Sequence, residues 1–150
     1  MGNKTIASNR KAFFEYEILE RWEAGISLTG TEVKSLREGR ANLGDGWVEI
    51  TDDCQAILRQ VQITPYAFGN IHNHEAYRPR KLLFHKNELN KLYSYTHEKG
   101  LTLVPLSFYF KGQRVKVEVG LAKGKKAHDK RETTKEREAN REMERALKKR

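Results

Sequence analysis

A single cysteine in 150 residues, Cys54, leaves no internal disulfide and fits a reduced compartment. Asp52 and Asp53 precede it, the wrong neighbours for lowering a thiol pKa, so an incidental thiol is expected rather than a nucleophile. Only three prolines interrupt the chain. No apolar run is long enough to cross a bilayer. Residues 1–12 lack the apolar stretch of a secretory signal, so a cytoplasmic setting with no membrane partner is expected. Also missing are a Gly-rich phosphate loop, a nucleophile elbow and any locally supported Ser-His-Asp set. These absences point away from an enzyme and from a cofactor.

What is plentiful is positive charge. The formal net charge is +9 and the pI about 9.7, a surplus that suits a polyanion. It is unevenly placed. Residues 1–122 hold 17 Lys+Arg against 14 Asp+Glu, whereas residues 123–150 hold 12 against 6. The sequence thus predicts a β-rich body over 1–122 and a basic tail over 123–150. The tail has no Phe, Tyr, Trp, Ile or Val, too little apolar surface to offset its ordering entropy. From Arg131 onward it also lacks Gly and Pro, and Ala139, Met143, Ala146 and Leu147 share a narrow helical stripe. A tail that is disordered alone and helical when docked is the expectation.

Hydrophobic periodicity shapes the body. Phe14, Tyr16, Ile18, Trp22, Ala24, Ile26 and Leu28 alternate with mainly polar residues, which predicts a long half-buried strand over 14–28 with a bulge near Glu20. In this reading Glu15, Glu17 and Glu23 share its outward face. Thr31 to Glu38 reads as a short helix capped by Thr31 and stopped by Gly39. Trp47–Thr51 and Gln55–Ile63 read as a hairpin, and 65–81 as irregular. A second helix starts at Asn87 and ends near Gly100. A last hairpin pairs Leu101–Phe110 with Gln113–Leu121, with Val104, Leu106, Phe108 and Phe110 on one face. The pattern predicts a mainly β fold, an oligonucleotide-binding-like closed antiparallel barrel with two or three peripheral helices, a sandwich being the alternative.

Few residues suggest metal chemistry. His72-Asn73-His74 has no nearby cysteine and one adjacent acid, Glu75, which falls short of a zinc ligand set. A loop touching nucleic acid suits it better. Arg78, Arg80 and Lys81 run into Leu82, Leu83, Phe84 and His85, and Asn9, Arg10 and Lys11 precede the first predicted strand. Cations can hold phosphates, and His or Phe can stack on an unpaired base.

The collinear set Asn9-Arg10-Lys11-Ala12, Glu23-Ala24-Gly25, Gly30-Thr31-Glu32-Val33-Lys34-Ser35-Leu36-Arg37, Ala41-Asn42, Arg80-Lys81-Leu82-Leu83, Val104-Pro105-Leu106 and Ala122-Lys123-Gly124-Lys125-Lys126 resembles the small protein B family, the SsrA-binding proteins of bacteria. The likeness extends over nearly the whole chain. It implies binding to the tRNA-like domain of transfer-messenger RNA (SsrA), delivery with elongation factor Tu to stalled ribosomes, and trans-translation. It further implies RNA contacts at Glu23, Leu83 and His85, with Asn9, Arg10, Lys11, Lys34 and Lys81 as further RNA-binding positions. Gly124, Lys125, Lys126, His128, Asp129, Lys130 and Arg131 match the tail segment that meets the small-subunit decoding centre. Met143 and Leu147 fall in the part implied to enter the messenger channel. A monomer is expected. Two other classes stay open: a structural ribosomal protein, and a barrel-fold nuclease using Glu23 and His85.

Overall fold

The computed structural model describes residues 4–68, 73–124 and 141. Strand β1 (Lys4–Ser8) opens the body and pairs antiparallel with the later strand Thr102–Lys111. The sequence pattern gave no sign of it. Helix α1 follows at once (Arg10–Glu15), capped by Asn9, whose side chain accepts a hydrogen bond from the Ala12 N–H at 3.1 Å. Phe14 therefore lies on a helix, not on the predicted strand. Local capping by Asn9 overrides an alternation that Phe14 joined by coincidence.

Strand β2 (Tyr16–Ile26) does alternate, and its register slips between Ile18 and Glu20 as the polar interruption suggested. Helix α2 (Gly30–Arg37) is capped two residues earlier than expected, by Thr29. Thr29-x-x-Glu32 is a capping box, with the Thr29 N–H donating to Glu32 Oε1 at 2.8 Å. Thr31, the expected cap, has Lys34 in the matching position and instead bonds His74 Nδ1 at 2.9 Å. Gly39, at φ 73°, ends the turn.

Strands β3 (Ala41–Asn42) and β6 (Gln62–Ile63) form a small separate ladder. Strands β4 (Trp47–Ile50) and β5 (Ala56–Arg59) make the expected hairpin, which is cut short because Gln60 takes φ 58° and turns the chain out of register. The stretch predicted irregular ends in strand β7 (Arg80–Leu83). Helix α3 (Lys86–Tyr93) starts from His85, whose N–H donates to Glu88 Oε1 at 3.0 Å, rather than from Asn87. It widens into a π-helical turn, Ser94–Glu98, and Gly100 at φ 65° releases the chain. Strands β8 (Thr102–Lys111) and β9 (Arg114–Gly124) form the long closing hairpin, and β9 continues past the expected boundary at Ala122.

The main sheet is ring-like and antiparallel. Its order is β1-β8-β4-β5-β7-β2-β9, with β9 also pairing back to β8. The link between β4 and β8 is a single pair, Val48 with Leu103. Inside the ring lie fully buried residues such as Phe108, Leu58, Leu82, Val117 and Val119. A second cluster, Ala12, Val104, Leu106 and Ala122, lies where α1 covers part of the outer face. The predicted face of Val104, Leu106, Phe108 and Phe110 is thus split. A register shift between Pro105 and Ser107 turns Phe108 inward and leaves Leu106 outside under α1.

Among the described residues an ion pair lies buried in the body. Arg80 and Glu32 are both fully buried and ion-paired, and Arg78 also reaches Glu32, at 2.5 Å. Arg80 donates further to Val61 O, Ala76 O and Glu75 O. Arg80, expected among the phosphate-holding cations, is therefore a structural residue. His74 is buried as well, with Nε2 2.8 Å from Ile63 O, so it anchors its loop instead of presenting a ring to a ligand. His72 lies outside the described residues.

Candidate nucleic-acid interface

Alternation carries one row of side chains to the outside of the ring beyond the part that α1 covers. On β7 the buried Arg80 and Leu82 alternate with the exposed Lys81 and Leu83. Leu83 faces Gly25 of β2 in register and is 55% exposed, unusual for a leucine. A Cβ on Gly25 would lie 3.3 Å from Leu83 Cβ, so the glycine leaves room for Leu83 to lie against the strand. Next along β2 stands Glu23, opposite Glu118 of β9, with Lys116 opposite Gly25. From β8, Tyr109 and Lys111 complete the row. The Tyr109 hydroxyl donates to Glu23 Oε2 at 2.5 Å, and Lys111 Nζ donates to Oε1 at 3.2 Å.

These bonds set the electrostatics. The hydrogen bond from Tyr109, then that from Lys111, holds the Glu23 carboxyl below its ordinary range, so it is ionised at neutral pH. Burial, then Glu23, pushes the Tyr109 phenol well above its ordinary value, so it stays a donor. Arg21 pairs with Glu118 at 2.9 Å and lies over the Phe13 ring. The result is a shallow groove lined by Thr5, Arg21, Trp22, Glu23, Ser107 and Tyr109, adjoined by a second lined by Gly25, Leu28, Val33, Leu83 and Lys116.

Glu23, Lys81 and Leu83 therefore share one outer face. Glu15 and Glu17 do not join Glu23 there: Glu15 ends α1, and the register shift after Ile18 inverts the phase of β2. His85 is exposed at the start of α3, two residues beyond Leu83. Lys34 is exposed on α2, with its Nζ 5.5 Å from the centre of the Tyr66 ring. Asn9 is buried, donating through Nδ2 to Leu43 O at 3.1 Å and Pro105 O at 2.8 Å, so its side chain locks α1 to the sheet. Arg10 is exposed, and Lys11 pairs with Asp45 at 2.7 Å, beside a separate groove that Asn9 and Asp45 help line. Gly124 is the exposed end of β9. Lys125, Lys126, His128, Asp129, Lys130, Arg131, Met143 and Leu147 lie outside the described residues. Tyr109 was missed from sequence. Its signal was the plain alternation of Tyr109 and Lys111 with Phe108 and Phe110, which lies beyond the shift before Ser107 and is unaffected by it.

Among the described residues no three His, Cys, Asp or Glu side chains stand together as a metal site, and no helix is long and apolar enough to cross a membrane.

A ring-like antiparallel sheet with peripheral helices and an open, mixed-charge outer face defines an oligonucleotide-binding-like β protein. Within that class the chain belongs to the SmpB protein family, which it matches over residues 6–149. It is 57% identical over 148 residues to an SsrA-binding protein of Chlamydia trachomatis, covering 99% of this chain and 97% of that one. It is 58% identical over 146 residues to the SsrA-binding protein of Gloeothece citriformis, covering 97% and 94% of the two chains. A solved structure described as "tmRNA-SmpB: a journey to the center of the bacterial ribosome" superposes with TM-score 0.68 at 48% identity, covering 81% of this chain and 85% of that one.

Proposed function

We propose that this protein binds the tRNA-like domain of transfer-messenger RNA and brings it to stalled ribosomes for trans-translation. The relatives are SsrA-binding proteins, and the structural neighbour is described as a tmRNA-SmpB assembly at the ribosome. In this reading the body holds the RNA, and the basic segment from Lys125 onward serves the decoding centre and messenger channel of the small subunit. Elongation factor Tu joins the delivery complex. The protein acts in the cytoplasm as a monomer, does no catalysis itself and needs no cofactor.

The observation that carries the RNA site is the ionised Glu23 beside the exposed Leu83, with Lys81, Lys111 and Lys116 on the same face. A carboxylate there is no phosphate ligand. It accepts from base amino groups or ribose hydroxyls, while the lysines hold the backbone. Glu23→Ala is therefore expected to weaken RNA binding although it removes a negative charge, whereas Glu15→Ala is expected to leave binding unchanged or slightly stronger. Gel-shift titration of both at fixed salt is the test. A Glu23→Ala protein that binds as well as the wild type would remove Glu23 from the interface.

A further inference from the structure

Tyr109 matches none of the expected RNA-binding positions, yet it makes the shorter of the two contacts to Glu23. We propose that Tyr109 is a positioning residue of the RNA site: its hydroxyl clamps the Glu23 carboxylate so that the remaining lone pairs point outward, toward hydrogen-bond donors on the RNA. The inference rests on Glu23 touching RNA, as proposed above.

The geometry divides the carboxylate's work. Oε2 takes the Tyr109 hydroxyl and Oε1 takes Lys111. A carboxylate offers about four acceptor sites, so sites are left on both oxygens for a ligand. The two donors are not equivalent. Tyr109 is 8% exposed on a strand flanked in register by Thr5 of β1 and Lys116 of β9, so it has little room to move. The Lys111 side chain is 57% exposed on a long flexible stem and is free to turn toward a phosphate when RNA arrives. Without the phenol, Glu23 would have to be ordered at the moment of binding, at a cost in affinity. Lys111 on β8 and Lys116 on β9 act electrostatically on the same carboxylate, Glu118 of β9 stands opposite it and is paired with Arg21 of β2, and β7 contributes Lys81 to the same face. Of these, only Lys111 hydrogen-bonds it in addition to Tyr109.

The test is a double-mutant cycle with the full chain and the isolated tRNA-like RNA, read as dissociation constants at fixed salt. Tyr109→Phe keeps the ring and removes the clamp, and it is expected to weaken binding about three- to tenfold, the range for one hydrogen bond. On a Glu23→Ala background the same substitution is expected to cost nothing further. A pH series adds a readout that ordinary packing would not move. Loss of the phenol raises the Glu23 pKa, so the acid-side loss of binding should begin at higher pH in Tyr109→Phe than in wild type. The RNA's own titration is common to both proteins and cancels in that comparison. If Glu23→Ala weakens binding but Tyr109→Phe does not, the positioning role is overturned and the site stands. If Tyr109→Phe costs as much with Glu23 absent as present, Tyr109 acts on RNA directly and the clamp is wrong. If Glu23→Ala binds like wild type, the site itself has failed.

Discussion

Glu32 stands at the start of α2 with no exposed surface, two guanidinium groups on its oxygens and the Thr29 N–H as a third donor. Burial pushes its carboxyl up, but Arg78, the Thr29 N–H and Arg80 together outweigh burial and hold it below the ordinary range. Removing one member of such a group leaves the others charged and unpaired, so Glu32→Gln is expected to cost about 3–5 kcal/mol in chemical denaturation. The sign with pH follows. A carboxyl depressed in the folded state contributes fully above its unfolded value, near 4.3, and that contribution disappears as pH falls through the folded value. The wild type should therefore lose stability on acidification more steeply than Glu32→Gln over that window. An equal slope in the two proteins would show that Glu32 is not the group that titrates. Leu83 is the opposite kind of residue. Half-exposed on the outer face, Leu83→Ala should leave the melting temperature nearly unchanged and weaken binding of the tRNA-like RNA. The role of Glu32 is not visible in the local pattern, and that of Leu83 is implied only by the family resemblance. Glu32 and Arg80 are 48 residues apart, and a basic run reads the same whether it faces solvent or pierces the core.

The elements came through the sequence where one local signal dominated. The β8–β9 hairpin, the β4–β5 hairpin and α2 were all legible from alternation, turn residues and the Gly39 stop, although α2 is capped by Thr29 and not by Thr31. What failed was phase. Register shifts in β2 and β8 each invert the side-chain alternation downstream, so Glu17 parts from Glu23 and Leu106 from Phe108. The second shift has one mark in the sequence, Pro105, since a proline within a strand sits at an edge or a bulge, but which way the alternation then runs depends on the partner strand. The same limit hid β1, whose five residues acquire meaning only against β8. The turn before β4 is constrained just as much by its surroundings. A Cβ on Gly46 would fall 2.5 Å from Val61 Cγ2, 2.8 Å from Pro105 Cγ and 3.1 Å from the Leu43 carbonyl oxygen. Val61 is β-branched and fully buried, and the carbonyl belongs to the backbone that also receives Asn9 Nδ2, so neither yields easily. Gly46→Ala is expected to destabilise the protein by about 1–3 kcal/mol, the usual range for overpacking, measured as a lowered denaturation midpoint at unchanged slope.

At the scale of the whole molecule, charge and architecture divide the work. The ring-like sheet presents a face in which Glu23 and Glu118 sit among Lys81, Lys111 and Lys116, so the recognition proposed for it rests on hydrogen bonds and shape as much as on net charge. Residues 125–150 carry 11 Lys+Arg against 6 Asp+Glu, with almost no apolar surface. The proposed division of labour predicts different salt behaviour for the two parts. Truncation should be made after Gly124, not Ala122, because Glu17 pairs with Lys123 and Tyr16 with Gly124 in the β2–β9 ladder. A chain ending at Gly124 is expected to bind the tRNA-like RNA within about tenfold of full length, or 1.4 kcal/mol, in gel-shift titration at moderate salt. Its affinity should also fall less steeply with rising salt, because binding without those cations neutralises fewer phosphates and so releases fewer counterions. In a reconstituted tagging assay on a message lacking a stop codon, the same truncated protein should be inactive. Loss of specific RNA binding on truncation would move recognition from the sheet to the basic segment. An unchanged salt slope would mean that those cations do not touch this RNA at all and act only on the ribosome.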